Sequence, residues 1–268
     1  MSRVALIQMV SSSKIDENLQ YIEKMMLQAK NERAELVVLP ENFAFMGLKE
    51  TDKIQIAELY GNGPIQQKMS QLAKQLGLWV VAGTIPIKGA GTKVRASSIV
   101  YDDKGQSVAR YDKIHLFDVR VSEQEAHQES STTERGHDIV VVATPVGKIG
   151  LSVCYDLRFP ELFQQLQSRG AELFTVPSAF TSITGLAHWE VLLRARAIEN
   201  LCYVLAPNQG GLHENGRQTY GHSMVVEPWG KILVQKTEGA GLITADIDLE
   251  RAQQLRRQFP CIDHHVLA

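Results

Sequence analysis

The chain has 268 residues, with 28 Lys and Arg against 30 Asp and Glu, a net charge of −2 and no block of like charge. That balance argues against a general nucleic-acid or anionic-membrane surface, and no uncharged stretch approaches the roughly 20 residues that span a bilayer. Cys154, Cys202 and Cys261 are widely spaced and form no CxxC pair, which speaks against a disulfide framework or zinc site and for reduced thiols in a soluble protein of the cytoplasm.

Short apolar runs alternate with helix-length amphipathic segments, the pattern of an α/β or layered domain. In chain order the sequence predicts a strand over 4–9, then a helix over 16–30 with Leu19, Ile22, Met25 and Met26 on one face and Ser12 or Ser13 as its cap. A strand follows over 35–39, then strands over 79–85 and 97–101, and Asp102-Asp103-Lys104-Gly105 reads as a turn into a strand over 106–111. Residues 118–137 are polar, poor in helix signals and long for a connector, which points to a functional loop. The second half repeats the opening order, with a strand over 149–154, a helix over 160–168 and a strand over 172–176. A helix over 188–200 buries Trp189, Leu192 and Leu193, residues 210–216 form a glycine-rich loop, and a strand over 241–247 and a helix over 249–258 close the chain. No low-complexity linker interrupts it, so 1–268 reads as a single domain.

The repetition extends to the letters. AELVVLPENF (34–43) and AELFTVPSAF (171–180) share A-E-L-x-x-x-P-x-x-F, each after a helix that follows a strand. Two pseudo-equivalent halves imply two packed sheets with helices outside. They also put Pro40-Glu41 and Pro177-Ser178 just past the carboxyl ends of strands, where open α/β sheets place their sites.

Against that frame the stretch GLSVCYDLRFPEL (150–162) stands out. A thiol with an ordinary pKa near 8.5 is only a few per cent thiolate at neutral pH, so a nucleophilic Cys154 needs a base beside it or a cation to hold its charge. Glu41, directly after the proline that ends a strand, supplies a base. Lys113, between apolar residues in YDKIHLFD, supplies a cation. Singly, the bland readings win: a cysteine after a strand is ordinarily core, a glutamate after proline a solvated cap, a loop lysine plain surface. The arrival of all three at predicted strand ends favours chemistry.

LPENF around Glu41, YDKIHLFD around Lys113 and GLSVCYDLRFPEL around Cys154 together resemble the three signature segments of the nitrilase superfamily of carbon–nitrogen hydrolases, in the family's order. The resemblance runs from ALIQM near the start to DIDL near the end. It implies an α/β fold, a four-layer αββα sandwich, and assembly as a homodimer or higher homo-oligomer. Carried onto this chain, it implies Glu41 as general base, Lys113 as oxyanion stabiliser and Cys154 as nucleophile. A second glutamate maps to Glu129 in HQESSTTERG, with Glu134 as the alternative. Further down, 177–200 and YGHSMVVEPWG (220–230) are most similar to the branch that includes deaminated-glutathione amidases, with the omega-amidases next. The expected reaction is hydrolysis of a small carboxylate-bearing amide to acid and ammonia through a thioester, without a metal or organic cofactor.

Other residues are expected to shape the pocket. Tyr155 contributes its amide to the oxyanion site. Arg158 either clamps a substrate carboxylate or pairs with Asp156 or Glu161, and Phe180 and Thr181 either line the pocket or turn the chain into the next helix. His188, His222 and His264-His265 lack metal-ligand spacing. A cysteine phosphatase is set aside, since only three residues separate Cys154 from Arg158 instead of five. An acyltransferase, a thiol-redox protein and a non-catalytic scaffold remain as competitors; the presence of Glu41, Lys113 and Cys154 together weighs against the last.

Overall fold

The computed structural model describes residues 1–121, 123 and 126–266. In chain order the elements are β1 (Ser2–Gln8), α1 (Ile15–Asn31), β2 (Leu36–Val38), α2 (Asp52–Gln55), α3 (Pro64–Leu76), β3 (Trp79–Lys88), β4 (Val94–Tyr101), β5 (Ser107–Asp112), the hairpin strands β6 (Asp118–Arg120) and β7 (Ala126–Gln128), and then β8 (Val141–Thr144) and β9 (Gly147–Leu151). The second half continues with α4 (Pro160–Ser168), β10 (Leu173–Thr175), α5 (Ser182–Thr184), α6 (Glu190–Asn200), β11 (Tyr203–Ala206), β12 (Ser223–Val226), β13 (Ile232–Lys236), β14 (Gly241–Ile247) and α7 (Leu249–Gln258).

Among the described residues the main strands form two six-stranded sheets, ordered β14-β1-β2-β3-β4-β5 and β8-β9-β10-β11-β12-β13. The two have one pairing pattern. β1, β2 and β3 are parallel, flanked by antiparallel β14 and by antiparallel β4 and β5. β9, β10 and β11 are likewise parallel, with antiparallel β8 on one side and β12 and β13 on the other. The parallel crossovers are helical in both, α1 and α3 in the first sheet and α4 and α6 in the second, as a parallel connection requires. The ten-residue echo in the sequence therefore falls on equivalent strands, β2 and β10.

Period-two alternation explains the layering. Along β1, Ala5 and Ile7 pack with Leu19, Ile22, Met26 and the α3 residues Met69 and Leu72, while Val4 and Leu6 face the other sheet and join Ile149 and Leu151. The result is the α/β four-layer αββα sandwich, with fully buried apolar residues between the sheets.

Several sequence expectations are adjusted. The first helix begins at Ile15, so Lys14 occupies the flanking position and no side chain caps it; Ser13 Oγ instead donates to Glu214 at 2.6 Å. The strand expected over 149–154 ends at Leu151, and Cys154 opens a tight 3₁₀ turn, Cys154–Arg158. Leu192 is only half-buried, because α6 turns it off the inward stripe of Trp189 and Leu193. The segment 118–137 carries the β6–β7 hairpin and a 3₁₀ turn, Glu129–Ser131, with 122, 124 and 125 outside the described residues.

Candidate active site

Glu41, Lys113 and Cys154 come from three separate strand ends and meet in one cavity of about 540 Å³. β2 ends before Pro40, which has no N–H to extend the ladder. The next turn is set by Asn42, at φ 58°, whose N–H donates to Thr84 Oγ1 at 2.9 Å. β5 ends at Asp112 and delivers Lys113, which is 2% exposed. Cys154 follows β9 with φ 49°, a left-handed conformation that is uncommon for a residue with a Cβ.

The strained turn has a specific support. Asp156, fully buried, accepts the Val153 N–H at 2.8 Å and the Tyr111 hydroxyl at 2.7 Å on Oδ2. On Oδ1 it accepts the His115 N–H at 3.0 Å, and His115 Nδ1 lies 2.7 Å away. The His115 ring stacks on Phe159 at 3.7 Å, and the buried Arg196 donates to Leu157 O at 2.8 and 3.1 Å. Backbone contacts add that the Cys154 N–H donates to Pro177 O at 3.0 Å.

Lys113 Nζ lies 2.8 Å from Glu41 Oε1 and 2.9 Å from Glu129 Oε2, and Glu129 also accepts the Phe117 N–H at 2.7 Å. Burial is the largest single influence on the ammonium and acts against its charge. The carboxylates of Glu129 and Glu41 together outweigh it, so the Lys113 pKa is raised well above its ordinary value. For Glu129, burial works against ionisation but Lys113 leads the influences that overcome it, and its pKa is lowered. Glu134 points elsewhere, with Oε2 3.5 Å from Arg95 Nε. Burial pushes the Cys154 thiol well above its ordinary value, with the negative Glu41 adding to the rise and Lys113 opposing it. The arrangement is thus a neutral thiol beside a carboxylate and a permanent cation, which can pass a proton from sulfur to carboxylate as sulfur attacks.

The other half supplies the far side of Glu41. The Ala179 N–H donates to Glu41 Oε2 at 2.9 Å, and Gln209 Nε2 donates to Glu41 O at 2.9 Å and to Ser11 Oγ at 2.7 Å.

Tyr155, Arg158, Phe180 and Thr181, expected around the pocket, are not among the cavity-lining residues. Arg158 lies over the Phe180 and Tyr155 rings, at 5.2 and 5.8 Å, with Nη1 3.2 Å from His188 Nδ1; it pairs with neither Asp156 nor Glu161. Phe180 packs against Trp189, and Thr181 is a buried cap whose hydroxyl meets that of Thr184 at 2.9 Å. The lining instead includes Lys49, Phe117, His127, Asn215 and Arg217. Sequence reasoning passed over these, although a basic residue inside a glycine-bounded loop, as in NGRQ, was the available signal for Arg217.

Among the described residues no group of His, Cys, Asp and Glu is arranged to hold a metal ion, and no helix is long and apolar enough to cross a membrane.

Comparison with known proteins adds identity at family level. A family profile described as carbon–nitrogen hydrolase matches residues 3–257. A deaminated glutathione amidase of Yersinia enterocolitica is 41% identical over 267 residues, 98% of this chain and 93% of that one. The human deaminated glutathione amidase is 43% identical over 266 residues, 97% of this chain and 81% of the relative. The C. elegans NitFhit structure matches with a TM-score of 0.93 at 40% identity; the alignment covers 99% of this chain and 65% of that longer one. Saccharomyces cerevisiae Nit3, described as a member of branch 10 of the nitrilase superfamily, matches with a TM-score of 0.86 at 33% identity over 97% and 94%.

Proposed function

The chain belongs to the carbon–nitrogen hydrolase family and is an amidohydrolase, and from that premise we propose that it is a cysteine amidase that hydrolyses deaminated glutathione. The observation that carries the chemistry is the convergence of Cys154, Glu41 and Lys113 in one cavity, with Lys113 2.8 Å from Glu41. The substrate comes from the relatives that share two-fifths of its residues over nearly the whole chain. Within the αββα sandwich, residues 1–268 act as one domain. We further place the protein in the cytoplasm, and read it as a homodimer or larger homo-oligomer, the assembly being supported by the exposed apolar Val191 and Ile198 on α6.

In this mechanism Glu41 takes the thiol proton as Cys154 Sγ attacks the amide carbonyl. The oxyanion is held by the Lys113 ammonium, two of whose three N–H groups already serve Glu41 and Glu129, and by the Tyr155 backbone N–H. Glu129 keeps the ammonium in place. Collapse of the tetrahedral intermediate breaks the C–N bond as Glu41 returns the proton to nitrogen, leaving a Cys154 thioester. Water, deprotonated by Glu41, then attacks the thioester, and the acid leaves with the thiol reformed. A primary amide releases ammonia. Deaminated glutathione carries only substituted amides, so the nitrogen that leaves is an amine.

The test is product analysis by mass spectrometry on a panel of deaminated glutathione, alpha-ketoglutaramate, asparagine, glutamine and a simple nitrile. The expected result is the highest kcat/KM for deaminated glutathione, abolished in Cys154→Ala by a factor on the order of 10⁴–10⁶. Preference for alpha-ketoglutaramate would move the substrate to the omega-amidase type, and turnover surviving in Cys154→Ala would overturn the covalent mechanism.

A further inference from the structure

Arg217 is a cation in the catalytic cavity without a carboxylate partner among the described residues. It lines the same cavity as Cys154, Glu41 and Lys113. Its Nη2 donates to Ala179 O at 2.6 Å, while its Nε, shielded from solvent, has no hydrogen-bond partner. A guanidinium presents five N–H donors in a rigid fork suited to a carboxylate, and a buried donor left unmade is costly. Only Nη2 makes a side-chain hydrogen bond among the described residues, and a guanidinium that lines a cavity with donors to spare and no carboxylate partner marks a place for an anionic ligand group.

The tether also fixes where that atom sits. Ala179 holds Arg217 through its carbonyl and Glu41 through its N–H, at 2.9 Å. The guanidinium is therefore within about 9 Å of the Glu41 carboxylate along this path, with a single residue between them. Its backbone is braced too, since the Arg217 N–H donates to Asn215 Oδ1 at 3.0 Å and its carbonyl accepts the His213 N–H at 2.9 Å. Arg158, the basic residue that spacing to the nucleophile singles out, lies over aromatic rings away from this lining.

We propose that Arg217 is a specificity-determining residue that receives the carboxylate on the acyl portion of the substrate, the part that stays on Cys154 as the thioester. The inference rests on the amidase reading above. The acyl group of deaminated glutathione ends in an alpha-keto carboxylate only four carbon–carbon bonds from the reacting carbonyl, which matches a cation tethered one residue from the general base. A carboxylate on the leaving amine would instead depart with the first product. An acyl-side contact acts in both half-reactions, so its loss lowers kcat as well as raising KM.

The experiment compares three substrates with the wild-type enzyme, Arg217→Gln and Arg217→Lys. They are deaminated glutathione, its analogue with a methyl in place of the acyl carboxylate (4-oxopentanoyl-cysteinylglycine), and its analogue with the glycine carboxylate amidated. The wild type is expected to favour deaminated glutathione over the methyl analogue by about 10–100-fold in kcat/KM. Arg217→Gln should erase that preference while changing turnover of the methyl analogue little, and Arg217→Lys, which keeps charge without the fork, should restore part of it. Equal losses on all three substrates, or a loss that follows the glycine carboxylate, would overturn the assignment. So would a wild type indifferent to the acyl carboxylate, a result that needs no variant to fold. Should the wild type hydrolyse none of these but another amide from the panel, the substrate reading fails by itself. The same comparison, made on that amide with and without an acyl-side carboxylate, still decides the role of Arg217.

Discussion

Asp156 Oδ2 accepts the Val153 N–H at 2.8 Å, closing a ring of backbone around Cys154, which lies between them in the left-handed region. This contact is why Cys154 stands clear of its strand. Asp156→Asn keeps the shape but turns one acceptor into a donor in a pocket already filled by donors from Val153, Tyr111 and His115. The expected outcome is a loss of about 1–3 kcal/mol, read from the urea midpoint, together with a fall in kcat as the turn relaxes. Tyr111→Phe removes one partner and should cost less of both. Wild-type turnover in Asp156→Asn would refute the supporting role.

The charge arrangement makes a prediction of opposite sign for two properties of one variant. Burial and the Glu41 charge both raise the Cys154 pKa. Glu41→Gln removes the charge while Lys113 remains, so the thiolate should form at lower pH than in the wild type, as read by its ultraviolet absorbance. Amide turnover should nevertheless collapse, because the proposed general base is gone. For the same reason the wild-type pH–rate profile should show no alkaline gain in the range where an ordinary thiol ionises. A thiolate that appears at the same or higher pH in Glu41→Gln would contradict the neutral-thiol ground state.

Acid should act through Glu129. Its pKa is lowered from an ordinary 4.5, so its contribution to stability is present above that value and is lost as pH falls through the lower folded value. The melting temperature is expected to hold from neutrality down to about pH 5 and then decline, with a shallower decline in Glu129→Gln. An identical acid limb in the variant would assign the decline to other carboxylates.

Gly83 has a steric role at the base of the site. A Cβ there would come 1.8 Å from Pro40 O, in the stretch where the β3–β4 register shifts between Ala82 and Ile85. Gly83→Ala must push the Pro40-Glu41 segment outward. A cost of about 1–3 kcal/mol is expected, with a drop in kcat as Glu41 loses its distance to Lys113. Unchanged kinetics would mean that the glutamate is positioned by Ala179 and Gln209 alone.

Much of the fold was readable in the chain. The helix at 160–168, the strand at 241–247 and the helix at 249–258 stand where their patterns put them, since strong local periodicity and proline or glycine punctuation coincide there. The letter repeat at 34–43 and 171–180 announced two like halves. Not read were α2, α3 and α5 and the strands β6, β7, β8, β11, β12 and β13. Tyr203–Ala206 is an apolar run of four and Ser223–Val226 a serine followed by three apolar residues, both too short for a period and buried on both faces, so partners alone define them as strands.

The site divides in the same way. Residue types and motif order pointed by themselves to a thiol, a carboxylate and a cation at strand ends, because those features are local to each strand end. Which glutamate meets the lysine was beyond them: Glu129 and Glu134 sit five residues apart in one polar segment, and the hairpin that precedes them turns the first toward Lys113 and the second toward Arg95. The partners of Arg158 and the open donor of Arg217 were equally out of reach. A side chain's role there depends on what another sheet or loop leaves beside it, as when Ala179 of the second half takes both Glu41 and Arg217. Hydrogen bonds across 38 or 138 residues are settled by packing, after local sequence has said all it can.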